Sequence, residues 1–261
     1  MQTPLMQSET AGGNILLYAT TMPQALLYAR YVPLLAQRGA TVSIAADPHV
    51  HGLLRSVQGV HELLGLNFDP QAYSQVEPME RLPVLFETDT GSVPWSGPYC
   101  VSDAGDLAHL QAMFASLPAC RIGLNLGDAP DAALATALAQ IFRELGLTVV
   151  LLASLAHLEF VFEGVVLESA ENANIAQLAA LVQSLDGVIS VDSLLVHIAG
   201  ALGAACHVLL PVQHDGMWGG GEFTPWYPQT VLYRESRLEG WKNAATALHD
   251  QLYKATQRRP A

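Results

Sequence analysis

The stretch Gly187–Pro211, "GVISVDSLLVHIAGALGAACHVLLP", decides the fold. It reads as a buried strand, a polar junction at Val191–Ser193, an apolar helix carrying one histidine, and a second buried strand. Strands that are apolar on both faces and joined through a helix belong to parallel sheets covered by helices. Asp192 and Ser193 fit two roles at that junction. Either can cap the helix, its side-chain oxygen accepting from an unpaired backbone N–H. Alternatively, those N–H groups and the positive end of the helix dipole receive an anion such as a diphosphate, assisted by the Ser193 hydroxyl, while Asp192 accepts from a ligand hydroxyl. His197 shares the helix face of Ser193, as a packing residue or a ligand contact. Leu194 limits how closely a ligand can approach the backbone.

The same alternation extends to both sides. "NILLYAT" (14–20), the helical "PQALLYARYVPLLAQRG" (23–39) with its glycine stop, "ATVSIAAD" (40–47), "PHVHGLLRSV" (48–57) and "VHELLGL" (60–66) spell β-α-β-α-β. From Asn67 to Val101 the periodicity fails: only "LPVLFE" (82–87) reads as a strand, and "DTGSVPWSGPYC" (89–100) reads as a loop. After a helix at 103–117, a second series begins with strand "CRIGLNLGD" (120–128), helix "DAALATALAQIFRELG" (131–146) and strand "LTVVLLA" (147–153). It continues with a short strand "GVVLE" (164–168), helix "NIAQLAALVQSLDG" (174–187) and the opening stretch. The amphipathic helix at 238–256 suits either unit. The expected fold is α/β: two Rossmann-type, doubly wound parallel-sheet units at 14–117 and 118–261, after a loose leader at 1–13. Ligands gather outside the carboxyl ends of such strands, which selects the junctions at Thr20–Gln24, Gly127–Pro130, Asp192–Ser193 and Val212–Glu222.

Composition narrows the function. The 261 residues carry 12 Lys and Arg against 24 Asp and Glu, a net charge of −12, and no Lys or Arg occurs from Glu144 to Tyr233. A phosphate backbone is repelled by such a chain, so no nucleic-acid partner is expected. Three widely spaced cysteines, Cys100, Cys120 and Cys206, suit a reducing compartment. The leader lacks the basic-then-apolar order of a signal peptide, and no apolar run reaches the roughly 20 residues of a membrane span, so a cytoplasmic protein is expected. His49 and His51 lack an identifiable third ligand, and no metal is expected. The glycine fingerprints of dinucleotide enzymes and P-loop NTPases and the nucleophile elbow of α/β-hydrolases are absent, which argues against an oxidoreductase; no cofactor is expected.

The segment "PVQHDGMWGGGEFTPWYP" (211–228) has two readings. It is a surface loop pinned by its aromatics, or a ligand lid made flexible by Gly219–Gly221, with Asp215 and Glu222 accepting from sugar hydroxyls and aromatic faces for stacking.

Taken with "DGMW", "TPWYP", "LYR" and "GW", residues 172–241 resemble the C-terminal half of GT-B glycosyltransferases of the heptosyltransferase type, glycosyltransferase family 9, and look nearest to relatives fused to tetratricopeptide repeats. "YARYVPLLAQRGATVSI" and "LLRSVQGVHELL" resemble the N-terminal half more weakly. The resemblance implies two Rossmann-like domains facing a cleft, the acceptor on the first and a nucleotide-sugar donor on the second, near Asp192, Ser193, His197, Asp215 and Trp218. It also implies a general-base aspartate before the first helix, where this chain has Gln24, which cannot accept that proton. Where the family places a basic residue for the donor phosphates, this chain has "LNLGDAPDAA" (124–133). The catalytic base is therefore unassigned, with Asp128 and Glu222 as fallback acids. The alternative is a catalytically inactive GT-B scaffold that binds a ligand or a protein.

Overall fold

The computed structural model describes residues 13–95, 97–117, 120–127, 131–152 and 174–257. The first part contains β1 (Asn14–Tyr18), α1 (Met22–Tyr28), α2 (Val32–Gln37), β2 (Thr41–Ala45), α3 (His51–Leu54), β3 (Val60–Leu64), β4 (Gln75–Pro78), α4 (Leu82–Leu85) and α5 (Ala104–Phe114). Its four strands are parallel in the order β3-β2-β1-β4. The second part contains β5 (Arg121–Asn125), α6 (Ala132–Leu145), β6 (Thr148–Leu151), α7 (Ile175–Ser184), β7 (Gly187–Val191), α8 (Leu194–Ala201), β8 (Cys206–Leu210), β9 (Thr230–Arg234) and α9 (Lys242–Gln257). Its five strands are parallel in the order β6-β5-β7-β8-β9. The chain changes winding direction after β1 in one sheet and between β5 and β7 in the other, so each sheet has a crevice at those carboxyl ends.

The structure corrects several expectations. The single helix expected over 23–39 is broken into α1, a 3-10 turn at Ala29–Tyr31, and α2. Pro33, in the first turn of α2, has no N–H to continue the ladder of α1. "LPVLFE" is helical at Leu82–Leu85, with Pro83 in the first turn, and the fourth strand lies earlier, in a stretch read as turns. That strand is a four-residue edge whose only buried residue is Glu77, paired with Arg81 at 2.8 Å, so it has no apolar alternation to read. The run "GVVLE" lies outside the described residues. Helix α9 packs on α6 and β9 and stays with the second sheet.

The two sheets share one apolar core. Helix α1 packs on α8, and α3 and α5 pack on α7. Leu26, Tyr31 and Leu53 of the first part join Leu195, Ile198 and Val208 of the second in a continuous cluster. The Tyr99 and Cys100 N–H groups both donate to the Ala201 carbonyl at 3.1 Å. Gly200 lets the Tyr227 ring lie against α8, where a Cβ would sit 2.2 Å from Tyr227 Cδ1. None of the three cysteines, all among the described residues, forms a disulfide.

Candidate functional site

Strand β7 ends at Val191, and the chain stays extended through Ser193 (φ −159°, ψ 170°) before α8 begins. Ser193 does not cap that helix. Its hydroxyl instead accepts from Asn125 Nδ2 at 3.1 Å and meets Ser190 Oγ at 3.0 Å. Asn125, at the end of neighbouring β5, is itself fixed by the Gly127 N–H at 2.9 Å. Among the described residues no side chain caps the first turn of α8; the Val196 N–H donates to the Ser193 carbonyl at 3.1 Å, which leaves the Leu194 and Leu195 N–H groups and the helix dipole at its start. Helix α1 starts against the same space, its N-cap Thr21 hydroxyl accepting from the Gln24 N–H.

Between them lies a cavity of about 440 Å³. Thr21, Gln24 and Tyr28 line it from the first part; Asp192, Ser193, Leu194, His197 and Asp215 line it from the second. The sequence-derived junctions at Thr20–Gln24, Asp192–Ser193 and Val212–Glu222 thus meet. Among the described residues no Lys or Arg lines the cavity, and two carboxylates do.

Asp192 opens to the cavity, and its Oδ2 accepts from the Trp218 indole N–H at 2.8 Å. Desolvation raises its pKa above the usual carboxylate value; the Trp218 hydrogen bond opposes this, and the charge of Asp215 adds to it. His197 is buried beneath the cavity, its Nδ1 2.9 Å from the Tyr227 hydroxyl and its ring against Trp218 and Tyr227. Burial and then the field of Arg30 depress its pKa to about 4, so it is neutral at pH 7. Its main contacts are packing contacts. Tyr28 has its pKa raised by burial and then by the charges of Glu80 and Asp215, while Arg30 lowers it.

Gln24 donates from Nε2 to Glu80 Oε2 at 3.0 Å and accepts from the Thr20 hydroxyl at 3.3 Å. Glu80 follows the unrecognised strand β4, and recognising that strand would have brought it to the carboxyl edge of the sheet. Tyr28 and Asn125 were also missed; Asn125 was readable as the polar end of an otherwise apolar strand.

Trp218 is buried and meets the cavity through its indole N–H on Asp192 rather than through a ring face. The expected flexible lid is tied down: Arg234 donates to the Trp218 carbonyl at 3.0 Å and to the Gly221 carbonyl at 3.1 and 3.2 Å. Asp215 caps the turn at Gly216–Trp218 by accepting from the Met217 N–H and still borders the cavity. Glu222 does not; it sits with Phe223 and Arg234 beside a separate cavity. Asp128 lies outside the described residues. His49 pairs with Asp47 at 2.7 Å and His51 bonds the Ala46 carbonyl, away from the cavity.

No protein-family model and no curated protein matches the sequence. Solved structures do. A glycosyl transferase family 9 protein from Veillonella parvula superposes with a TM-score of 0.64 at 14% identity, covering 96% of this chain and 98% of that one. The E. coli ADP-heptose lps heptosyltransferase II gives 0.60 at 15% identity, covering 94% and 99%. E. coli heptosyltransferase WaaC with ADP-2-deoxy-2-fluoro heptose gives 0.57 at 13% identity, covering 92% and 99%. At these identities the likeness establishes the fold, which is GT-B-like: two parallel-sheet α/β domains of four and five strands.

Proposed function

We propose that this chain is a glycosyltransferase of the heptosyltransferase type, moving a sugar from a nucleotide-sugar donor to a cytoplasmic acceptor. The observation that carries the reading is the uncapped N-terminus of α8, open to a cavity that α1 closes from the opposite sheet. Backbone N–H groups at a helix start suit a diphosphate, and here they stand in for the missing cations. The buried Arg30 behind the cavity adds positive potential, since its field acts on both His197 and Tyr28. Asp192, Ser193 and His197 then flank the donor phosphates or sugar, and Asp215 accepts from a sugar hydroxyl. On this reading residues 14–117 hold the acceptor and 118–261 the donor, in a cytoplasmic protein that needs no metal. The ADP-sugar bound to one solved neighbour makes ADP-sugars the first probes. The closeness to relatives fused to tetratricopeptide repeats rests on the sequence resemblance alone.

One observation favours a second reading. Among the described residues the cavity has no Lys or Arg on its lining, and it presents an amide at Gln24, as in an inactive scaffold that holds a sugar-containing ligand or a protein.

The test is calorimetry and thermal shift with nucleoside diphosphates and nucleotide sugars on the native chain and on Ser193→Asp. A carboxylate at the N-cap stabilises α8 by roughly 0.5–1 kcal/mol while repelling an anion at the same place. The variant is expected to melt higher without ligand and to bind the donor at least about tenfold more weakly. Absence of stabilisation by every member at millimolar concentration overturns the transferase reading.

A further inference from the structure

We propose that Asp192 is the residue that takes the proton from the acceptor hydroxyl, with Trp218 as its positioning residue. The proposal rests on the transferase reading above. Among the described residues three carboxylates stand near the cavity, and Asp192 is the one that lines it while held by a buried side chain from another element. Glu80 accepts from Gln24 Nε2 and is not part of the lining. Asp215 also lines the cavity but spends one oxygen on the Met217 N–H of its own turn. Asp192 lines the cavity directly, at the junction between β7 and α8, where backbone position is set by a buried strand and a buried helix.

Its orientation is enforced from behind. Trp218 is buried to 1% exposure, packs against His197 and Tyr227, and is tied through its carbonyl to Arg234. The indole N–H fixes Oδ2, and Oδ1 has no hydrogen-bond partner among the described residues, which leaves it for a ligand hydroxyl. A base held by a neighbour and made more basic by partial desolvation is the arrangement that general-base catalysis requires. The direction of the shift at Asp192 agrees.

In the step itself, the acceptor O–H bond breaks and its proton passes to Asp192. The acceptor oxygen forms a bond to the anomeric carbon of the donor. The bond from that carbon to the diphosphate oxygen breaks, and its electron pair leaves with the nucleoside diphosphate. Asp192 returns the proton to solvent.

The experiment follows nucleoside diphosphate release from ADP-, GDP- and UDP-sugars, with water as acceptor, across pH 5–9. Donor affinity is measured in parallel by calorimetry, on the full native chain and on Asp192→Asn, Trp218→Phe and Glu80→Gln. Asparagine can accept the same Trp218 bond through its amide oxygen, so Asp192→Asn keeps the fold, checked by circular dichroism. Its release rate is expected to fall about 100-fold or more, with donor affinity falling no more than about tenfold. Trp218→Phe removes the donor that favours the charged carboxylate, so the rising limb of kcat/KM moves to higher pH. Glu80→Gln is expected to keep the native profile. Release by Asp192→Asn within threefold of native, or a loss confined to Glu80→Gln, overturns the assignment and leaves the transferase reading standing. Donor binding without release at any pH also overturns it and favours the inactive scaffold. If no donor binds at all, the transferase reading fails and Asp192 loses this role with it.

Discussion

The Arg30 guanidinium, just past α1, donates to the Trp226 carbonyl and lies 5.5 Å from the Trp226 ring centroid. Arg30 belongs to the first sheet's helical layer, and Trp226 precedes β9 of the second sheet. The guanidinium is also within 6 Å of the Trp95, Tyr99 and Tyr227 rings, and it donates to the Leu27 carbonyl and the Tyr99 hydroxyl. At 4% exposure it has no carboxylate partner among the described residues. Carbonyls, a phenol and ring faces together replace the water it has lost.

Replacing Arg30 by Ala should therefore cost about 3 kcal/mol, since it orphans the Trp226 carbonyl, leaves the Tyr99 hydroxyl only its bonds to other partners such as the Leu26 carbonyl, and empties the space between four rings. Arg30→Lys should recover less than half, because an ammonium cannot reproduce the planar fork. Urea unfolding of the two variants measures this. Native stability in Arg30→Ala would mean that the core alone holds the sheets together.

Gly200→Ala offers a second check on the same interface. Alanine is the better helix former by about 1 kcal/mol, yet its methyl would fall on the Tyr227 ring at 2.2 Å. Overpacking should win, with a net loss of about 2 kcal/mol. Gly216→Ala meets nothing within 4 Å and serves as the neutral control.

The same interface shows what the sequence could and could not convey. Strands β5, β7 and β8 are buried on both faces, so their apolar runs announced them, and α6 ends where Gly146 turns left-handed (φ 61°). The edge strand β4 carries no such run, and Pro33 breaks a helix whose apolar spacing continues across it. Strand rules brought Asp192, Ser193 and Asp215 to one crevice because they fix where the backbone goes. They say nothing of side-chain direction. Ser193 turns back to Asn125, and Trp218 turns inward to Asp192 from 26 residues away.

Stability should fall on mild acidification. His197 and His207 both have pKa values lowered to about 4, His197 by burial and then Arg30, His207 by burial. The unfolded chain protonates near 6.5, so between about 6.5 and 4 it binds protons that the folded chain refuses. The stabilisation is complete above about 6.5 and is lost as pH falls toward 4, by at most about 1.4 kcal/mol per pH unit for each histidine. Asp192, with its raised pKa, acts in the opposite sense and offsets part of the loss. Urea midpoints at pH 7.5 and 5.5 should separate in the native protein and by about half as much in His197→Gln, where His207 alone still refuses the proton. An equal separation in both would assign the acid sensitivity to other groups.

The loop after β8 should be mobile only when Arg234 is removed. Gly219, Gly220 and Gly221 would make such a segment loose by themselves, and Gly219 has a positive φ of 58° that favours glycine. Yet Arg234 bonds the Trp218 and Gly221 carbonyls and meets His214 Nε2, closing the segment at both ends onto the edge strand. Arg234→Gln should speed amide exchange across 215–222 by about tenfold or more, equivalent to losing roughly 1.4 kcal/mol of local protection. Exchange in α8 should stay unchanged. Because the Trp218 indole positions Asp192, the same variant should redden tryptophan fluorescence and loosen the carboxylate that faces the cavity. Unchanged exchange would show that burial of the Trp218 ring holds the loop without Arg234.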